Sequence, residues 1–287
     1  MRGNVNGSPL LLLNDGMGFE LPELREEVYS NKKETKPAPD DLWHLLLGEY
    51  TGRELTKEKD KLVAFAGVAD HFAHLWRSQG LQTRYLAGLW EHQLPSALLW
   101  QVCLYPGEDL RSLPRIYRAP SWSWAAVDDC VYDTTPISRY RPVDHRIERC
   151  EVTLKRQSNP FGEVTAGILV LTCHTISGLV WNPWLTGDAG TPNNIFQLHE
   201  PLIGRLEPDS SEFTAGAVQE IPVTVAVLGT TDSIHHYETV GLALLPLPVV
   251  NSPQDAVHVL QYRRVGIVEL DYHLSDLCSV KTTLHIV

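Results

Sequence analysis

Helical periodicity in this chain stops near Pro106, and the residues beyond it read as strand and turn. Upstream, Leu62, Phe65, Ala66, Ala69, Phe72, Ala73 and Trp76 recur at spacings of three and four, so they share one helical face. The spacing predicts a helix from Thr56, as N-cap, to about Gly80, as C-cap. Asp40 and Asp41 mark the start of a shorter helix through Leu42, Trp43 and Leu45 to Leu47, because carboxylates complement the positive end of the helix dipole. Tyr85 to Trp90 is an aromatic connector. A second long helix is expected over Glu91 to Cys103, begun or interrupted at Pro95.

Downstream, proline and glycine become frequent and β-branched runs appear. Strands are expected at 147–155, 167–175, 221–229 and 240–250, and as a pair at 257–262 and 265–272. Turn-rich loops are expected at 182–191 and 207–217. Helices first and strands after them give an α+β fold rather than alternating βαβ units. The expectation is a helical part, about 40–105, packed on a mostly antiparallel β part, about 115–275. Residues 1–39 read as an irregular segment and 40–287 as a single domain, helical over 40–105 and β-rich over 106–287.

The chain has 287 residues, 43% of them hydrophobic, and a formal net charge of −11. Such a composition supports a real core. An acidic surface repels phosphate backbones, so no nucleic-acid partner is expected. The short basic clusters, Lys57 to Lys61 among them, read as solvated surface. Five cysteines at wide spacing, without a Cys-x-x-Cys pair, argue against a disulfide framework or a structural zinc. No segment has the length and apolarity of a membrane span or a signal peptide. With free thiols, these features make the cytoplasm the expected compartment.

No Gly-x-Gly-x-x-Gly, Walker, His-Glu-x-x-His or Gly-x-Ser-x-Gly pattern occurs. An enzyme built on this chain is therefore expected to work without a cofactor, and no metal site is expected. Asp70-His71-Phe72-Ala73-His74 has chelating spacing. Its helical phase, however, places His71 opposite Leu62 and toward water. His235 and His236 open a strand and point to opposite faces. Glu91 beside His92 is a pair that can tune a general base, although such a pair is more often a polar helix edge.

Six of the eight tryptophans lie between positions 43 and 124. In Arg118-Ala-Pro-Ser-Trp-Ser-Trp-Ala-Ala-Val-Asp-Asp129, Trp122 and Trp124 alternate with Ser121 and Ser123. In an extended segment both indoles project to one face and both hydroxyls to the other. The plainer reading is a strand whose aromatic side plugs the core. The functional reading is a pocket walled by Trp122, Trp124, Trp90 and Tyr85, with Ser121 and Ser123 as further contacts. Arg118, Asp128, Asp129 and His92 are then the groups for polarising a carbonyl or moving protons, with His145 a further candidate.

Three blocks together resemble the region downstream of the HET domain in fungal heterokaryon-incompatibility proteins. They are Tyr50-Thr-Gly-Arg-Glu-Leu-Thr56 running on to Gly67, Tyr85-Leu-Ala-Gly-Leu-Trp90 running on to Trp100, and Arg118-Ala-Pro-Ser-Trp-Ser-Trp-Ala125. Tyr262-Arg-Arg-Val-Gly-Ile267 is a weaker fourth. The HET domain's own motifs do not occur in this sequence, so its self-recognition activity is not implied, and the resemblance carries over no catalytic residues. Two functions are expected from the residues and the resemblance together. One is binding of an apolar fungal metabolite of polyketide or terpenoid class, with cofactor-independent cyclase, pericyclase or isomerase chemistry. The other is a non-enzymatic interaction or regulatory module with a protein partner.

Overall fold

Aromatic residues set the first layer. The computed structural model describes residues 37–103, 109–133, 140–181, 196–197, 201–202, 204–213, 221–231, 239–248 and 259–287. Helix α1 spans Pro39–Thr51, with Asp40 and Asp41 in its first turn as expected. It runs one turn beyond Gly48, and Thr51 ends it by donating its hydroxyl to Leu47 O at 2.9 Å. The expected helix from Thr56 to Gly80 is divided. A 3-10 turn covers Glu58–Asp60, helix α2 is Lys61–Ala64, and helix α3 is Ala66–Ser78. Thr56 caps nothing. The break falls at Phe65, whose ring stacks on Tyr50 with centroids 4.5 Å apart. The apolar face is as predicted: Leu62, Phe65, Ala69, Phe72 and Trp76 are buried, while His71 and His74 are exposed.

The aromatic connector is a tight hairpin of β1 (Tyr85–Leu86) and β2 (Leu89–Trp90). It turns through Ala87 and Gly88, both at positive φ. The expected helix over Glu91 to Cys103 does not form. Two 3-10 turns, Glu91–Gln93 and Ser96–Leu98, lead into strand β3, Trp100–Val102. Residues 97–102 are all buried, so this stretch has no wet face for a surface helix to present.

Strand β4 (Val131–Asp133) pairs with β3. The remaining strands are β5 (Tyr140–Pro142), β6 (Arg146–Leu154), β7 (Val164–Trp181), β8 (Phe196–Gln197), β9 (Pro201–Leu202), β10 (Gly204–Pro208), β11 (Ile221–Thr231), β12 (Thr239–Pro246), β13 (Gln261–Leu270) and β14 (Val280–Ile286). These ten form one mixed, mostly antiparallel sheet, and β13 and β14 are its parallel pair. The chain is α+β, with helices first and the sheet after them. The 18-residue β7 pairs with β6 and β14 along its first part and with β11 along its second. The pairings β7–β14–β13–β12–β11–β7 thus return on themselves and close a five-stranded ring. The expected pair of strands at 257–262 and 265–272 is one strand, β13, with no turn at Arg263–Arg264. Residues 257–258, 182–191 and His235–His236 lie outside the described part.

Alternate residues of the sheet feed two cores. Ala226, Leu228, Leu242, Leu244 and Ile267 join the aromatic cluster of the helical part. Val225, Val227, Ala243, Val265 and Val268 join a second core with Trp181 and Phe213. No helix among the described residues is long and apolar enough to cross a membrane.

Candidate functional site

The segment Arg118 to Asp129 is not a strand. It bends through Trp122 into a 3-10 turn, Trp124–Ala126. Ser123 caps that turn by accepting from Ala125 N at 3.0 Å, and its hydroxyl donates to Ala87 O. Serines and indoles therefore do not fall on opposite faces: Trp122, Ser123 and Trp124 are each 0% exposed. Trp124 Nε1 donates to Gly88 O at 2.7 Å. Trp122 presents its carbonyl to Trp100 Nε1 at 3.0 Å and seats its ring where Gly167 of β7 has no Cβ.

Trp90 and Tyr85 are equally interior. With Trp43 at the centre, they pack edge-on at centroid distances of 5.5 and 6.2 Å. Phe65, Phe72 and Trp76 complete the cluster. Each such ring withdraws on the order of 150–250 Å² from water, which fixes this cluster as the centre of the helical part. The space beside Trp124, bounded by Trp43, Leu47, Leu89, Trp100 and Tyr132, measures about 20 Å³. That is room for roughly one water. The expected aromatic wall is core.

Arg118 and its neighbours occupy the surface side of the same segment. The Arg118 guanidinium is buried. Its Nε donates to Ala125 O at 2.6 Å, Nη1 to Glu58 O at 3.1 Å and Nη2 to Val127 O at 2.5 Å. Nη1 also meets Asp128 at 2.6 Å. All three nitrogens are thus engaged with the fold, and Arg118 serves as a brace. Asp129 accepts from Arg111 N at 3.0 Å, and burial raises its carboxyl above the usual range despite that bond.

Lys61 joins this group and was not expected in it. It is 3% exposed, and its Nζ donates to the same Val127 carbonyl that Arg118 holds. Burial first, and the Arg118 charge second, pull its ammonium down from 10.5 to about 7, against the opposing pull of Asp128, Asp129 and Cys130. Lys61 and Asp128 line a cleft of about 280 Å³ with Tyr50, Arg53, Glu58 and Arg111. Burial raises the Tyr50 phenol to about 12, and its hydroxyl donates to Lys61 O at 2.5 Å. The basic run at 57–61 is therefore not uniformly solvated, since Lys57 and Lys59 are exposed but Lys61 is not. A signal for this exists in the sequence: Lys61 lies four residues before Phe65, on the buried side.

His92 is elsewhere. Its ring nitrogens meet Asp40 at 3.2 Å and the Thr83 hydroxyl at 2.9 Å, and its ring lies 4.8 Å from Trp76. It ties the start of α1 to the turn after β2. His145 donates Nδ1–H to Val143 O at 2.7 Å, two residues away. Of the residues named from sequence, Arg118, Asp128 and Asp129 come together, and the two histidines do not join them.

A second opening has Arg118 in its lining. It is an apolar groove of about 280 Å³ whose lining includes Ile116, Tyr117, Phe213, Leu247 and Val127. Ile116 is 47% and Tyr117 54% exposed. Arg263 also borders the groove, with its guanidinium 5.2 Å from the Phe213 ring centroid. Ser121 is at its edge, with its hydroxyl donating to Val287 O and accepting from Arg264 N at 3.0 Å. Comparison of the chain with protein-family models, curated proteins and solved structures finds no match.

Proposed function

We propose that this protein binds a small apolar molecule carrying an oxygen acceptor, of polyketide or terpenoid class. The groove beside Tyr117 is the observation behind this reading. Its volume, about 280 Å³, is close to the ~300 Å³ lower end of small-molecule sites. Its lining is mostly apolar, and two large side chains, Ile116 and Tyr117, stand half in water at its edge, where a ligand that covers them gains hydrophobic free energy. Arg263, paired loosely with Glu212 at 3.8 Å, is the cation for an enol, ketone or carboxylate oxygen. The reading extends to a cofactor-independent isomerase or cyclase, because placing a reactive ligand in one conformation supplies rate by itself.

The test is binding of a panel of polyketide and terpenoid acids, followed by thermal shift and calorimetry. A ligand is expected to raise Tm, and Tyr117→Ala and Arg263→Gln are each expected to weaken binding about tenfold with the unliganded Tm unchanged. Absence of any Tm rise, or full affinity in both variants, would sink the reading. Metabolite profiling after deletion of the gene addresses the enzyme extension without a choice of substrate. The interaction-module reading, related to heterokaryon incompatibility, draws on the same half-exposed Ile116 and Tyr117. A polypeptide that copurifies with the wild type and is lost with Tyr117→Ala selects it instead.

A further inference from the structure

We propose that Lys61 is a carbonyl-reactive amine, and that the cleft it shares with Asp128 takes an aldehyde or ketone and holds it as an imine. Among the described lysines Lys61 alone is buried, and it lines the cleft while its Nζ bonds to the braced segment after Ala125. Its Nζ is placed rather than free, because it donates to the Val127 carbonyl, and that carbonyl is itself fixed by Arg118 Nη2. An amine that spends one N–H on a carbonyl keeps its lone pair for another partner. Arg118 next to it makes a second buried cation unfavourable, which favours the neutral, nucleophilic form. The lowering of its ammonium to about 7 has these same two causes, burial first and Arg118 second. An ordinary lysine at neutral pH is almost wholly protonated.

The cleft also has the groups that imine formation needs. The nitrogen lone pair attacks the carbonyl carbon, a C–N bond forms, and the carbonyl π electrons move to oxygen. Nitrogen loses a proton and oxygen gains one, giving a neutral carbinolamine. The hydroxyl then takes a second proton and leaves as water as C=N forms, and the resulting iminium nitrogen releases its remaining proton, which replaces the one taken up. One carbonyl compound and one amine thus give one imine and one water, with no oxidant or reductant. Asp128, a lining residue of the cleft whose carboxylate pairs with Arg118 Nη1 at 2.6 Å, then serves to carry a proton from nitrogen to the departing oxygen. Arg53, Arg111, Glu54 and Glu58 around the opening suit a polar carbonyl compound, which sets this site apart from the apolar groove.

Reductive trapping of the folded full chain tests this. Propionaldehyde and benzaldehyde are supplied separately with cyanoborohydride at pH 7, and each lysine is followed by peptide mass spectrometry. Lys61 is expected to be alkylated at least tenfold faster than Lys57 and Lys59, and urea is expected to abolish the preference. Alkylation of Lys61 no faster than of its two exposed neighbours overturns the proposal. So does a preference that survives unfolding, since it would then owe nothing to the cleft. Failure here leaves the groove reading untouched, because no lysine is among the described residues that line the groove.

Discussion

The Arg264 guanidinium and the Asp209 carboxylate form an ion pair at 2.9 Å that is almost wholly out of water. Arg264 also donates to Leu98 O at 2.5 Å and Trp100 O at 2.6 Å, and its Cζ lies 3.4 Å from the centroid of the Trp100 ring. One side chain of β13 thus holds the stretch leading into β3 against the sheet. Burial pushes the Asp209 carboxyl up and the Arg264 guanidinium down, so each charge depends on the other. Removing one partner leaves an uncompensated buried charge. Asp209→Ala is expected to cost about 3–5 kcal/mol, read as a lower urea midpoint. A loss under about 1 kcal/mol would show that water reaches Arg264.

Gly88 and Trp124 make a second dependence, this one steric. Gly88 has φ +104, and a Cβ there would lie 2.5 Å from Trp124 Nε1. The same indole nitrogen donates to Gly88 O. Gly88→Ala therefore combines backbone strain of about 1–2 kcal/mol with overpacking of about 1–3 kcal/mol. The combined loss is checked by thermal or urea unfolding. A variant as stable as the wild type would mean that the hairpin turn relaxes freely.

Much of this fold is legible in the residues, and the exceptions have identifiable physics. Strands β6, β7, β11 and β12 follow from β-branched runs, and the face of α3 follows from its spacing, because both signals are local. The break at Phe65 leaves the three-and-four spacing intact, so periodicity cannot show it. The ring closure through β7 and β11 pairs residues far apart in sequence, such as His174 with Val227, beyond the reach of local pattern. The two strands expected at 257–262 and 265–272 are one, because Arg264 between them is a buried brace within β13. For the site, adjacency in sequence brought out Arg118, Asp128 and Asp129. Lys61 reaches them from α2, and the charge run around it masked its helical phase.

Tyr85 carries a hydroxyl that the core does not serve. Among the described residues its oxygen has no hydrogen-bond partner, and burial drives its ionisation far above the usual phenol range. An unmet buried hydroxyl costs about 1–3 kcal/mol, and Phe keeps the ring that packs on Trp43, Trp90 and Phe161. Tyr85→Phe is accordingly expected to leave stability unchanged or to raise it by about 1 kcal/mol. A clear loss in chemical denaturation would reveal a partner for that hydroxyl, such as an internal water.

Lys61 gives the chain a pH dependence of definite sign. Its ammonium titrates at about 7 in the folded chain, against 10.5 as its ordinary value. Below pH 7 both states carry the proton, and the folded state bears the full penalty of a buried charge. Between 7 and 10.5 the unfolded state keeps the proton while the folded state has released it, so stability rises with pH, by at most ~1.4 kcal/mol per unit. Above that window the contribution is constant. Tyr50 and Cys130, the nearest groups that titrate on the alkaline side, are both shifted upward by burial. They leave the interval from about pH 7.5 to 9 largely to Lys61. Lys61→Met has no such proton to release. Across that interval the stability of the wild type relative to Lys61→Met is expected to climb by about 1 kcal/mol or more per pH unit, measured by urea denaturation at each pH. A flat difference would place the Lys61 ammonium in contact with water and remove the basis for its neutrality in the cleft.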